Sequence, residues 1–155
     1  MKNLLILGGG TAGTMMSNKL HKVLNASEWQ IKIVDKDPLH YYQPGFLFIP
    51  FGIYKPSDVV RPKKEFIHRN IEFEIAEVEH IRTRQNCVVL KGGKKLWYDV
   101  LVVATGAQTV PEETEGLKGD LWHKEIFDFY TYEGSCLLAE KLKTWTGGKM
   151  VINLA

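Results

Sequence analysis

Gly8-Gly9-Gly10-Thr11-Ala12-Gly13 has the spacing G-x-G-x-x-G, and Asp35 lies 22 residues beyond Gly13. Each position answers a demand of binding a diphosphate and a ribose. Gly8 permits a tight turn, Gly10 lets the backbone approach a pyrophosphate, and Gly13 lets a helix pack closely on a strand. The free N–H groups of a helix opening at Thr11 and Ala12 face the phosphates, where the helix dipole favours negative charge. Asp35, at a strand end, can accept hydrogen bonds from a ribose diol. The spacing alone is weak evidence. Its weight depends on a strand before it, a helix through it and a second strand leading to the acid.

Those elements can be read from the hydrophobic pattern. Leu4-Leu5-Ile6-Leu7 is a short continuous apolar run, as expected of a strand covered on both faces. From Thr11 to Leu24 the apolar positions Ala12, Met15, Met16, Leu20, Val23 and Leu24 recur at helical spacing, which predicts a helix with those residues on its core face. Ile31-Lys32-Ile33-Val34 predicts a second strand closed by Asp35, completing a βαβ unit. Further on, Ile71–Ile75, Val78–Thr83, Val88–Leu90 and Leu96–Tyr98 read as β segments, with a hairpin turn at Lys91-Gly92-Gly93-Lys94. A helix is predicted over Gly134–Trp145, with Leu137, Leu138, Leu142 and Trp145 on one face and Gly147-Gly148 ending it. Met150–Leu154 reads as the start of another strand.

A second motif is Tyr98-Asp99-Val100-Leu101-Val102-Val103-Ala104-Thr105-Gly106, read as a buried parallel strand ending in a small-residue turn at the carboxyl edge of the sheet. A third stretch, Pro38 to Pro62, is rich in proline and in aromatics (Tyr41, Tyr42, Phe46, Phe48, Phe51, Tyr54), so it reads as neither helix nor central strand. Its rings either cover the protein's own core or form a wall of a ligand pocket. Cys87 and Cys136 stand 49 positions apart and make neither a disulfide framework nor a zinc pattern. The five histidines show no metal-ligand spacing, and no serine sits in a nucleophile elbow.

Composition narrows the classes further. The 155 residues, 45% hydrophobic and 25% charged, suit about one globular domain. The net charge of +2 is too small to argue for nucleic acid, and Lys63-Lys64 and Lys94-Lys95 read as solvated loop pairs. No apolar run reaches the roughly 18 residues of a membrane span. The Met1-Lys2 start with its apolar run is too short for a secretory leader and ends in glycines, so it reads as a buried strand of an unexported chain.

Taken together, the fingerprint, the ribose acid, a β insertion and the Ala104-Thr105-Gly106 strand end resemble flavoproteins with two dinucleotide-binding domains. The loop His40-Tyr41-Tyr42-Gln43-Pro44-Gly45-Phe46-Leu47-Phe48-Ile49-Pro50-Phe51-Gly52, with Thr11-Ala12-Gly13-Thr14-Met15-Met16, is similar to sulfide:quinone oxidoreductases. This resemblance implies an α/β fold: a Rossmann-like FAD-binding domain with a parallel sheet and a small antiparallel β insertion. It implies FAD as cofactor, held by Gly8, Gly10, Thr11, Ala12, Gly13 and Asp35. Lys36 would lie beside the adenosine, and Val78 would offer its backbone to adenine. Pro44 would approach the flavin ring, with Ala104, Thr105 and Gly106 closing over it. It also implies sulfide as electron donor, a quinone as acceptor, and peripheral membrane attachment through sequence beyond Ala155.

In that family cysteines take the sulfide sulfur. Cys136 falls a few residues inside its helix, where Thr131 and Tyr132 occupy the approximate family position; it reads more naturally as an apolar buried cysteine, and Cys87 as structural. No catalytic residue is assigned within the chain. A type II NADH:quinone oxidoreductase shares the scaffold, but Met150–Ala155 lacks the glycine that its second fingerprint would need. A flavin- or nucleotide-binding module without catalysis is the third alternative. The resemblance predicts residues 1–108 as the N-terminal part of an FAD-binding domain, and 109–155 as a linker, helix and first strand of a second nucleotide-binding-like domain. Such a piece is incomplete, and by itself is expected to bind FAD weakly or not at all and to turn nothing over. The expected location is the cytoplasm, with attachment at the inner face of the cell membrane.

Overall fold

The computed structural model describes residues 1–153. The chain divides into two compact units, the first made of Met1–Tyr41 and Val60–Thr109, the second of Tyr42–Val59 with the chain from Val110 onward.

The first unit is built on a parallel sheet. Its strands are β1 (Lys2–Leu7), β2 (Trp29–Asp35), β5 (Glu72–Ile75) and β9 (Val100–Val103), in the order β5-β2-β1-β9. Helix α1 (Thr11–Val23) connects β1 to β2. Strands β6 (Val78–Arg82), β7 (Cys87–Leu90) and β8 (Lys95–Trp97) form an antiparallel three-stranded sheet, and β3 (Leu39–Tyr41) pairs antiparallel with β4 (Val60–Pro62). The register of the parallel pairs, Leu4↔Ile31 and Leu7↔Val34 on one side and Leu4↔Val100 and Leu7↔Val103 on the other, brings three strand ends level at one edge.

Why β1 is apolar throughout follows from its two faces. Leu4 and Ile6 point into a cluster with Ile31, Ile33, Ile67 and Ile71, backed by Leu20 and Leu24. Leu5 and Leu7 point the other way, into a cluster of Val34 from β2 with Val88, Leu90 and Leu96 of the antiparallel sheet. Alternate side chains of a strand face opposite sides, so cover on both sides demands apolar residues at every position.

The helix meets the sheet through a face that the hydrophobic spacing misidentifies. Met15 and Val23 are 66% and 71% exposed and Met16 is exposed too, whereas Gly13, Thr14 and Ser17 are buried. Small residues win because α1 approaches β1 too closely at its N-terminal end to admit a methionine. Leu20 and Leu24 fill the wider space further along.

Strand β9 is parallel to β1 as expected, but it is not covered on both faces. It ends the sheet's order, and Val100 and Val103 are exposed. Within the proline-rich stretch the chain forms β3, β4 and 3₁₀ turns at Gln43–Phe48 and Pro56–Val59, so it is more regular than a loop. Its one ladder, β3 with β4, is three residues long, which its prolines tolerate.

In the second unit α2 (Tyr132–Thr144) starts two residues earlier than the sequence predicts. Thr131 is its N-cap: Gly134 N–H donates to Thr131 Oγ1 at 3.0 Å, and Asp128 Oδ1 accepts from the N–H groups of Tyr130 and Thr131. Its Trp145 is exposed, and Leu137, Leu138 and Leu142 are half-buried. Phe46, Ile49 and Val59 are buried, and Phe46 meets the Tyr132 ring at 5.9 Å between centroids. Most of the other rings of the aromatic stretch, Tyr42, Phe51 and Tyr54 among them, stay exposed. Met150–Asn153 pair with no strand among the described residues and expose their apolar side chains, contrary to the expected strand. Leu154 lies outside the described residues.

Candidate functional site

The first unit gathers its motif residues at the carboxyl ends of the parallel strands, where open α/β sheets bind ligands. After β1 the chain turns at Gly8, whose φ is +95°. A Cβ there would stand 2.3 Å from the carbonyl oxygen of Ala104. The glycine turn and the Ala104-Thr105-Gly106 segment, 96 residues apart between Gly8 and Ala104, therefore touch backbone to backbone, and Ala104 N–H donates to Leu7 O at 2.8 Å. Only glycine permits that approach.

Gly13 works the same way against the turn. Its Cβ would lie 1.9 Å from Gly8 O, so the start of α1 presses on the turn itself, with the strand side chain Ile6 at 3.4 Å behind. Gly10, the N-cap of α1, has nothing within 4 Å of a built Cβ and faces open space. Thr11 and Ala12 are exposed beside it, and no acidic side chain sits in the first turn. A buried threonine, Thr14, donates from Oγ1 to Gly9 O at 3.0 Å and ties the helix to the turn. Ser17, fully buried, donates to Thr14 O. The sequence motif names neither; the signal they carry is a polar residue where an apolar core face would be expected.

At the end of β2, Asp35 is bound on three sides. Gly9 N–H donates to its Oδ2 at 2.6 Å and Asp37 N–H to its Oδ1 at 2.9 Å. The third partner is Lys63, whose Nζ lies 2.8 Å from Oδ2 and also donates to Asp37 O at 2.8 Å. Lys63 is 6% exposed, so it is not the solvated loop residue that its Lys63-Lys64 pair suggests. It sits 28 positions from Asp35 in the chain, a separation at which no spacing rule applies. Burial alone would raise the Asp35 carboxyl. The hydrogen bonds from Lys63 and the Asp37 and Gly9 N–H groups, with the lysine's charge, outweigh it and hold the carboxyl below its ordinary 3.8.

Two further residues lie along the same edge. Ile75 is level with Asp35, and Ala76 N–H donates to Asp35 O, so the chain leaving β5 passes beside the acid just before it reaches Val78. Val78 opens β6 at an irregularity of the ladder, and its side chain packs on the cluster around Leu90. Lys36 points into solvent-exposed space beside the acid, and Thr105 and Gly106 are exposed at the strand end. Pro44 belongs to the second unit, exposed in the first turn of the 3₁₀ segment Gln43–Phe48. There Gly45 is the buried neighbour: its Cβ would meet Val59 at 2.5 Å and Tyr42 at 2.9 Å.

The thiols are quiet. Cys87 is fully buried in β7. Cys136 is half-buried, and burial, against a hydrogen bond to Tyr132 and aided by Glu140, raises its thiol above the ordinary value, the opposite of an activated nucleophile. Among the described residues no group of histidines, cysteines and acids could hold a metal ion, and no helix is long and apolar enough to cross a membrane.

Known proteins are similar to this chain in sequence and fold. The chain is 31% identical over 150 residues to the mitochondrial sulfide:quinone oxidoreductase of Dictyostelium discoideum, covering 96% of this chain and 33% of that protein. It is also 31% identical, over 76% of its length and 29% of the relative's, to a type II NADH:quinone oxidoreductase of Staphylococcus epidermidis. Among solved structures, the sulfide:quinone oxidoreductase of Aquifex aeolicus superposes with a TM-score of 0.75 at 27% identity, over 92% of this chain and 32% of that one. The chain thus spans about a third of the length of these relatives. The fold is α/β and Rossmann-like, with the expected small antiparallel insertion, here β6–β8, and a β3–β4 pair that the sequence does not predict. The family model for pyridine nucleotide-disulphide oxidoreductases matches residues 2–143, and the chain belongs to that family.

Proposed function

We propose that the chain carries the adenosine-diphosphate half of an FAD site in an oxidoreductase of the sulfide:quinone type. The observation that carries the reading is the backbone contact of Gly8 with Ala104, which joins the fingerprint and the second motif into one edge beside Asp35. The residues fit the cofactor: the turn is open at Gly10, where a Cβ meets nothing, and the first turn of α1 presents its N–H groups without an acid to occupy them.

In this reading the backbone N–H groups from Gly10 to Gly13 bind the diphosphate and Asp35 orients the ribose. Val78 lies on the adenine side, and Ala104, Thr105 and Gly106 border the path toward the flavin, as Pro44 does by family resemblance. Bound FAD supplies the two-electron chemistry that side chains lack. Residues 1–108 are then the N-terminal part of the cofactor domain, and 109–155 lead into a second nucleotide-binding-like domain. Sulfide as donor and quinone as acceptor are supported by the sulfide:quinone relatives. No residue of the chain is assigned to the sulfur chemistry.

The NADH:quinone relative supports a second reading, with hydride from NADH in place of sulfide. One experiment separates them. Protein expressed from the complete reading frame is loaded with FAD and mixed anaerobically with sulfide or NADH while the flavin absorbance is followed. Bleaching by sulfide, reversed by quinone, is expected; bleaching by NADH alone replaces the sulfide reading. Bound flavin that neither donor bleaches assigns a binding module.

A further inference from the structure

Lys63 is a buried cation inside the nucleotide site and lies outside the motif that announces the site. Its side chain is 7% exposed and its Nζ is 2.8 Å from Asp35 Oδ2. Its stem lines the turn as well, since a Cβ on Gly9 would meet Lys63 Cδ at 3.4 Å. Lysine is almost never buried without a partner. Here the partner is the one acid hydrogen-bonded to the turn itself, through Gly9 N–H at 2.6 Å.

That hydrogen bond sets up an electrostatic conflict. The turn and the start of α1 attract anions, yet Asp35 places a carboxylate on the same turn. An uncompensated charge there repels a diphosphate, and in a partly buried setting solvent and salt screen the repulsion poorly. Lys63 cancels it at contact distance. The same three donors also aim the acid. An ionised carboxylate has about four acceptor positions. Gly9 N–H and Lys63 Nζ take both on Oδ2 and Asp37 N–H takes one on Oδ1, leaving one on Oδ1 for a hydroxyl.

We infer that Lys63 is a positioning residue of the nucleotide site, the counter-charge that lets the glycine turn accept a diphosphate while Asp35 remains a carboxylate aimed at the ribose. The inference rests on the dinucleotide reading. It also explains why the short 3₁₀ turn Lys63–Glu65 is anchored so firmly to the strand end: Lys63 N–H donates to Pro38 O at 2.8 Å while its ammonium holds Asp37 O.

The test is a double-mutant cycle read by ADP affinity. Nucleotide-free protein from the complete reading frame is titrated calorimetrically with ADP at about pH 8, where Asp35 stays ionised on its two backbone donors. Lys63→Met keeps the stem and removes the charge, and is expected to weaken ADP by at least about tenfold. Adding Asp35→Asn to Lys63→Met is expected to recover at least several-fold of the lost affinity, because the carboxylate left without its counter-charge is then removed. A merely structural lysine would gain nothing from the second substitution, and that result overturns the inference, as does ADP affinity unchanged in Lys63→Met. Should Lys63→Met fail to fold, the Asp35→Asn/Lys63→Met protein decides: affinity within about tenfold of wild type supports the counter-charge, because the pair is again neutral, and a larger loss overturns it. Wild-type protein that binds no ADP removes the dinucleotide reading itself, which distinguishes the two failures.

Discussion

Gly10 and Gly13 occupy one motif for different reasons, and single methyl groups can tell them apart. At Gly13 a Cβ collides with Gly8 O, so Gly13→Ala must displace the start of α1. A loss of about 1–3 kcal/mol in urea denaturation is expected, with nucleotide binding abolished. Gly10→Ala meets nothing and has ordinary backbone, so its stability should stay within about 0.5 kcal/mol of wild type. ADP affinity should nevertheless fall, because the new methyl stands on the open side of the turn. Equal stability losses in the two variants would show that the turn is packed otherwise.

The acid at this turn also makes stability depend on pH in a definite direction. Asp35 is held below its ordinary 3.8 in the fold, so its ionised form stabilises the protein above that value. The stabilisation disappears as pH falls through the folded value. Denaturation measured from about pH 5 down to about pH 3 should therefore show a steeper loss for wild type than for Asp35→Asn. Glu74, lowered by its hydrogen bonds and proximity to Lys94 and Lys32, titrates alike in both proteins and cancels in the comparison. Parallel slopes would deny Asp35 its ion pair.

On the scale of elements, α1 and β1 show two ways of packing against one sheet. The strand is covered on both faces, and Ile6→Ala, at a fully buried position, should cost about 2–5 kcal/mol. The helix is seated on glycine, threonine and serine. Ser17→Leu, which would extend the apolar character of the methionines nearby, should destabilise by about 1–3 kcal/mol through overpacking. Met15→Gln, at a residue 66% exposed, should leave the melting temperature almost unchanged. The reverse order of effects would restore the methionine face as the buried one. The spacing rule fails here for a physical reason: it ranks residues by hydrophobicity, whereas the gap between α1 and the glycine turn selects by size.

For the molecule as a whole, the sheet's order leaves β9 at an edge, with Val100 and Val103 exposed at 42% and 60%. An apolar edge strand is a template for pairing with another chain. The 155-residue chain on its own is expected to self-associate as its concentration rises, measured by light scattering. Val103→Lys should reduce that association without lowering the melting temperature. A chain that stays monomeric at all concentrations would show that this edge is protected.

How much of this the residues alone settle depends on the range of the interaction. The glycine fingerprint, the acid 22 residues beyond Gly13, the Lys91–Lys94 hairpin and the continuous apolar run of β1 are local patterns, because turn geometry, helix periodicity and strand pleat act between neighbours in the chain. They are sufficient for the α/β fold and for gathering the motif residues at the strand ends. The burial of Lys63, its ion pair across 28 positions, the seating of Ala104 on Gly8 across 96 and the exposure of β9 depend on which segments the sheet brings together. A charge reads as solvated until its partner is in place, and a strand reads as buried until its neighbours are known. Tertiary structure decides those residues because their energies come from distant partners rather than from the chain on either side.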